Sequence, residues 1–95
     1  MSKLAKGGRL MKSFEYAVKD KMGLHARPAG LLVKEANGFT SAIRIVKGEK
    51  EADAKKIFGI MGLAVKCGET VTICADGEDE DTAIAELEAF VKENF

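Results

Sequence analysis

Gly23-Leu24-His25-Ala26-Arg27-Pro28-Ala29-Gly30-Leu31-Leu32-Val33-Lys34-Glu35-Ala36-Asn37-Gly38 holds the one histidine and the one proline of this chain, and it fixes where the first helix begins and ends. Ala29, Leu32, Val33 and Ala36 stand at i, i+3, i+4 and i+7, a single apolar stripe at helical spacing. Proline is tolerated in a first helical turn, whose N–H groups lack helical partners, and is costly deeper in. Pro28 therefore places the helix start within about three residues of His25, close to the N-cap. Asn37-Gly38 is the stop signal.

On either side, the apolar pattern alternates between strand and helix periods. Phe14, Tyr16 and Val18 alternate along a first strand. Ile43 and Ile45 alternate in a second, which turns at Lys47-Gly48 into a short third over Glu49–Ala52. Ile57, Ile60, Met61 and Ala64 return to helical spacing; Val71, Ile73 and Ala75 form a fourth strand; Ile84, Leu87 and Val91 give the last helix its stripe. The order βαββαβα predicts an α+β fold, an open-faced two-layer β-sandwich with a four-stranded antiparallel sheet covered on one face by three helices. Ninety-five residues suffice for one small domain, expected over residues 11–95. Met1–Leu10, with Gly7-Gly8, fit no element and read as a leader outside it.

The placement of His25 gives it a chemical setting. A helix N-terminus presents unpaired N–H groups and about half a positive charge, which suits an anion. Arg27 adds a fixed cation with fork geometry for phosphate oxygens. A neutral imidazole beside such a cradle can accept a phosphoryl group and hold it as phosphohistidine. The plainer reading, a surface or capping histidine, is weakened because histidine is a poor N-cap residue. A hydrolase using His25 as base is weaker still, since no serine or cysteine nucleophile and no orienting acid is evident beside it in sequence.

Gly23-Leu24-His25-Ala26-Arg27-Pro28-Ala29 resembles the active-site signature of HPr, the histidine phosphocarrier family of the bacterial phosphoenolpyruvate-dependent phosphotransferase system. Ala52–Met61 resembles the family's second helix region, and Gly68–Ile73 with Gly77–Glu80 resembles its last strand and the turn into its last helix. The resemblance covers residues 12–93. It implies the same fold, phosphorylation of His25 at Nδ1 by enzyme I, stabilisation of the phosphate at Ala26 and Arg27, and transfer onto IIA proteins or domains of sugar permeases.

Leu31 and Phe58 fall off their helical stripes, and large apolar side chains that miss the core are candidates for a docking patch. A short irregular helix that buries Phe58 anyway is the other reading. The resemblance favours docking, because residues matching Ile57, Phe58 and Met61 meet enzyme I and IIA proteins, and Lys34 and Lys55 match basic positions on that surface. Gly30 and Gly62 stand where bulkier or polar residues are common, and Met22 where a polar one is. Gly59 and Gly62 each cost the second helix roughly 1 kcal/mol against alanine if interior. Lys56 departs most: many relatives carry there a serine that a kinase phosphorylates in catabolite repression. Lysine has no hydroxyl, so regulation through this position is expected to be absent. A paralogue acting mainly as a phosphorylation-dependent regulatory or binding module is the alternative function.

Composition sets further bounds. Basic and acidic residues balance at 15 each, but Lys3, Lys6 and Arg9 precede every acid, which leaves residues 11–95 at net −3. That argues against nucleic-acid binding, which wants a basic face. Asp76 and Glu78–Asp81 gather where they favour the N-terminus of the last helix, without the spacing of a calcium loop, so neither metal nor cofactor is expected. No apolar stretch reaches the ~18–20 residues of a membrane span. Cys67 and Cys74 lack CxxC spacing and read as free thiols of a cytoplasmic protein, Cys74 as packing or edge material in the fourth strand. The chain is expected to act as a monomer among protein partners.

Overall fold

The computed structural model describes residues 12–95; the leader Met1–Leu10, and Met11, lie outside the described residues. The elements follow in the expected order: β1 (Lys12–Ala17), α1 (Ala26–Ala36), β2 (Ala42–Lys47), β3 (Lys50–Asp53), α2 (Ile57–Gly62), β4 (Thr70–Asp76) and α3 (Glu80–Asn94). The strands form one antiparallel sheet in the order β1-β4-β2-β3, so the segment through α1 carries the chain from an edge strand across to the far side of β4. Period-two alternation then sorts the side chains. Phe14, Ile73, Ile45 and Ala52 lie in one cross-strand row toward the helices, and Ser13, Cys74, Arg44 and Asp53 lie in the neighbouring row on the open face.

The core collects the predicted stripes. Leu32 of α1, Ile43 and Ile45 of β2, Ile60 of α2, Ile73 of β4, and Leu87 and Val91 of α3 are fully buried, with Phe14, Tyr16 and Val33 packed partly against them. Each such aliphatic side chain stabilises the fold by about 1.5–3 kcal/mol relative to exposure. Cys74, though on the open face, is buried between its neighbours on β1 and β2.

Four local outcomes differ from the sequence reading. The β2–β3 turn lies at Gly48-Glu49, one residue further on, with Gly48 at φ +60. α1 stops without a left-handed glycine: Asn37 stays right-handed and its Nδ2 donates to the Val33 and Lys55 carbonyls. α2 ends at Gly62, and Ala64 is exposed at φ +52 instead of continuing the stripe. There Lys47 Nζ donates to the Leu63 and Ala64 carbonyls, each at 3.1 Å, and pairs with Glu69 at 3.0 Å, so an ammonium from β2 takes up helix-end acceptors. Finally, Asp79 occupies the N-cap of α3 but caps nothing with its side chain. Its carboxylate accepts the Thr40 and Ser41 N–H groups, both at 2.9 Å, and the Ser41 hydroxyl, and these bonds hold its pKa down to about 2. Gly77 makes this clamp possible, since a Cβ there would lie 2.6 Å from Ser41 Cα.

Candidate functional site

The loop before α1 is folded by its own sequence. Asp20 makes an Asx turn, its Oδ1 accepting the Met22 N–H at 2.9 Å and its carbonyl accepting the Gly23 N–H at 2.8 Å. Gly23 follows at φ +72, so close to the α2–β4 loop that a Cβ would meet the Val65 carbonyl oxygen at 2.3 Å. The Leu24 N–H donates to that same oxygen at 3.0 Å, and the Leu24 side chain is buried. At the loop's other end, the Lys19 and Asp20 N–H groups both donate to the Phe95 carbonyl, at 2.7 and 2.8 Å. The loop is thus tied to two distant segments before it delivers His25.

His25 is the N-cap of α1, in extended backbone conformation (φ −91, ψ −170), and its side chain makes no capping bond. Its carbonyl accepts the Ala29 N–H at 2.9 Å. Pro28 has no N–H, so the first turn offers two donors, those of Ala26 and Arg27, at the positive end of the helix. Arg27 is exposed, and its guanidinium has no hydrogen-bond or ion-pair partner among the described residues. The imidazole is 38% exposed, and its Nε2 lies 3.6 Å from Asp20 Oδ1. An acid therefore does stand beside His25, contrary to the sequence reading; the Asp-x-x-Gly turn signal at 20–23 was the clue to it. Nε2 is thus the ring nitrogen turned toward a carboxylate, and Nδ1 is the one turned away from it.

The docking candidates lie on α1, on α2 and on the segment leading into α2. Among the described residues the large exposed apolar side chains are Met22, Leu31, Phe58 and Met61, and Phe58 is 86% exposed. The reading in which a short helix buries Phe58 therefore fails. α1 and α2 meet at Gly30, where an added Cβ would touch Ile57 Cδ1 at 3.8 Å, and Ile57 is half-buried there. Lys34 is exposed. Lys55 is not a free cation, because its Nζ donates to the Phe39 carbonyl at 2.7 Å. Lys56 is the N-cap of α2, exposed and without a side-chain cap bond.

A family model described as the PTS HPr component phosphorylation site matches residues 12–93. The chain belongs to the HPr family. Phosphocarrier protein HPr of Mycoplasma capricolum is 49% identical over 74 residues, covering 78% of this chain and 83% of that protein. Among solved structures, HPr from Thermoanaerobacter tengcongensis superposes with a TM-score of 0.81 at 43% identity, covering 85% of this chain and 91% of that one. Crh of Bacillus subtilis, a catabolite-repression protein solved as a domain-swapped dimer, gives a TM-score of 0.70 at 50% identity over 82% of this chain and 90% of that one. The open-faced sandwich expected from the strand and helix order is the fold of these HPr structures, and no helix among the described residues is long and apolar enough to cross a membrane.

Proposed function

We propose that this chain is a phosphoryl carrier that accepts a phosphoryl group from phospho-enzyme I on His25 Nδ1 and passes it to IIA proteins or domains. The observation that carries this reading is the position of His25, an uncapped, part-exposed N-cap imidazole with Nε2 toward Asp20. The Nδ1 electron pair forms the bond to phosphorus as the donor's bond breaks and its pair leaves with the donor. The Ala26 and Arg27 N–H groups and the Arg27 guanidinium receive the phosphoryl oxygens. Handing the group on reverses these bond changes, so the carrier ends unaltered.

Docking is assigned to Gly30, Leu31, Lys34, Lys55, Ile57, Phe58 and Met61, with apolar side chains supplying contact and Lys34 speeding encounter with acidic partners. Action as a monomer in the cytoplasm is part of the same proposal, with a domain-swapped dimer such as that of Crh as the competing state. Half-identity with Crh supports a second reading, a regulatory or binding module in which phosphorylation of His25 toggles partner choice.

Intact mass after incubation with phosphoenolpyruvate and enzyme I, beside His25→Ala, tests the first step. One acid-labile phosphate on the parent and none on the variant is the expected result, and its chase onto a IIA protein separates carrier from module. An unphosphorylated parent, with an enzyme I active on another HPr, refutes the carrier reading.

A further inference from the structure

Asp20 has so far been given no chemical task, yet its carboxylate is held beside the histidine. One oxygen, Oδ1, both accepts the Met22 N–H at 2.9 Å and lies 3.6 Å from His25 Nε2. That separation exceeds a hydrogen bond, so the effect on the ring is Coulombic. The carboxylate is not free to swing away. The backbone of Asp20 is fixed as well, its N–H donating to the Phe95 carbonyl and its carbonyl accepting the Gly23 N–H.

The chemistry of a phosphorylated imidazole gives this placement a consequence. Attack by Nδ1 leaves the ring positively charged with the proton still on Nε2. When the N–P bond later breaks, its electron pair returns to Nδ1. If Nε2 has kept its proton the departing group is neutral imidazole; if not, it is the much poorer imidazolate. We propose that Asp20 is a positioning residue for His25 that holds the Nε2 proton in place through phosphorylation and so sustains transfer toward higher pH. This rests on the carrier reading. The other charged or titratable groups nearby are Lys19 and Lys21 in the same loop, Arg27 on α1, and Lys66 and Cys67 on the loop packed against Gly23. The cations oppose the charged ring; the anionic phosphoryl group on Nδ1 favours it, and Asp20 adds a protein carboxylate on the Nε2 side.

The test compares the parent with Asp20→Asn, Asp20→Ser and Asp20→Glu, all phosphorylated with phosphoenolpyruvate and enzyme I. Asparagine and serine can still accept the Met22 N–H, so the turn survives while the charge goes. Hydrolysis of phospho-His25, which is faster with Nε2 protonated, is followed by intact mass from pH 5 to pH 9. The midpoint of the profile is expected to fall by about 0.7 pH unit in the two uncharged variants, the effect of one charge at about 4 Å in water, and to stay near the parent's in Asp20→Glu. Transfer to a IIA protein should fall about fivefold more at pH 8.5 than at pH 6, a pattern that a merely structural role does not produce. Coincident profiles for phosphorylated parent and uncharged variants overturn the proposal while the carrier reading stands. A parent that takes no phosphate overturns both.

Discussion

Gly23→Ala strikes the fold and the site at one point, and its cost can be worked from the geometry. At φ +72 an alanine is strained by roughly 1–2 kcal/mol. Its Cβ would also lie 2.3 Å from the Val65 oxygen and 2.8 Å from Lys66 Cα, both backbone atoms that no side-chain rotation can move aside. Ordinary contact requires the two loops to part by about 1 Å, which breaks the 3.0 Å bond from the Leu24 N–H to Val65 and leaves a donor unsatisfied. That adds about 1–3 kcal/mol. A total near 3 kcal/mol is expected, read as a fall in the urea midpoint at unchanged slope and a loss of about 12 °C or more in Tm. Phosphoryl acceptance, measured well below the new Tm, should fall as well, because the same loop delivers His25. A loss under about 1 kcal/mol would refute the reasoning, since it would mean that the two loops part freely.

Three further outcomes are expected. Gly62→Ala, with nothing within 4 Å of the added methyl, should raise the urea midpoint by an amount equal to about 0.5–1 kcal/mol, whereas Gly59→Ala meets Ala52 Cβ at 3.3 Å and should gain less. Phe58→Ala should leave stability within about 0.5 kcal/mol, because the ring is 86% exposed, yet raise the KM of enzyme I for this carrier; unchanged KM values with both enzyme I and IIA would remove Phe58 from the docking surface. Asp79, at about 2 folded against an ordinary 3.8, stabilises the fold fully above pH 4 and loses that contribution as pH falls toward 2. Urea unfolding from pH 6 to pH 2 should accordingly show the gap between parent and Asp79→Asn narrowing as the acid limit is approached, and a gap that stays constant would count against the clamp.

What could be read in the sequence was what adjacent residues decide. Pro28 located the start of α1, and with it the N-cap position of His25, because a ring without an N–H tolerates few places in a helix. Phe58 announced its exposure by missing the apolar stripe of its own helix. The failures share a different cause. α2 stops at Gly62, and an ammonium from β2, some sixteen residues back, bonds the Leu63 and Ala64 carbonyls just past its end. Asp79 reads as one of several acids favouring the N-terminus of α3, whereas its carboxylate is bonded to Thr40 and Ser41, nearly forty residues earlier. Lys55 matched a basic docking position, yet the Phe39 carbonyl holds it. Asp20 is the instructive exception: five residues from His25, it was overlooked because proximity through a turn follows from the turn's geometry and not from spacing along a helix or strand.

The bonds from Lys19 and Asp20 to the Phe95 carbonyl make the far end of the chain a mechanical part of the site. A tag, a truncation or a binding partner that lifts Phe95 away frees two amide protons in the loop that aims Asp20 at the imidazole. Exchange protection at those two amides is therefore a gauge, readable residue by residue, of whether the tail of α3 is seated. Through it, a disturbance some seventy residues away in sequence can be felt at His25 without altering any residue of the motif.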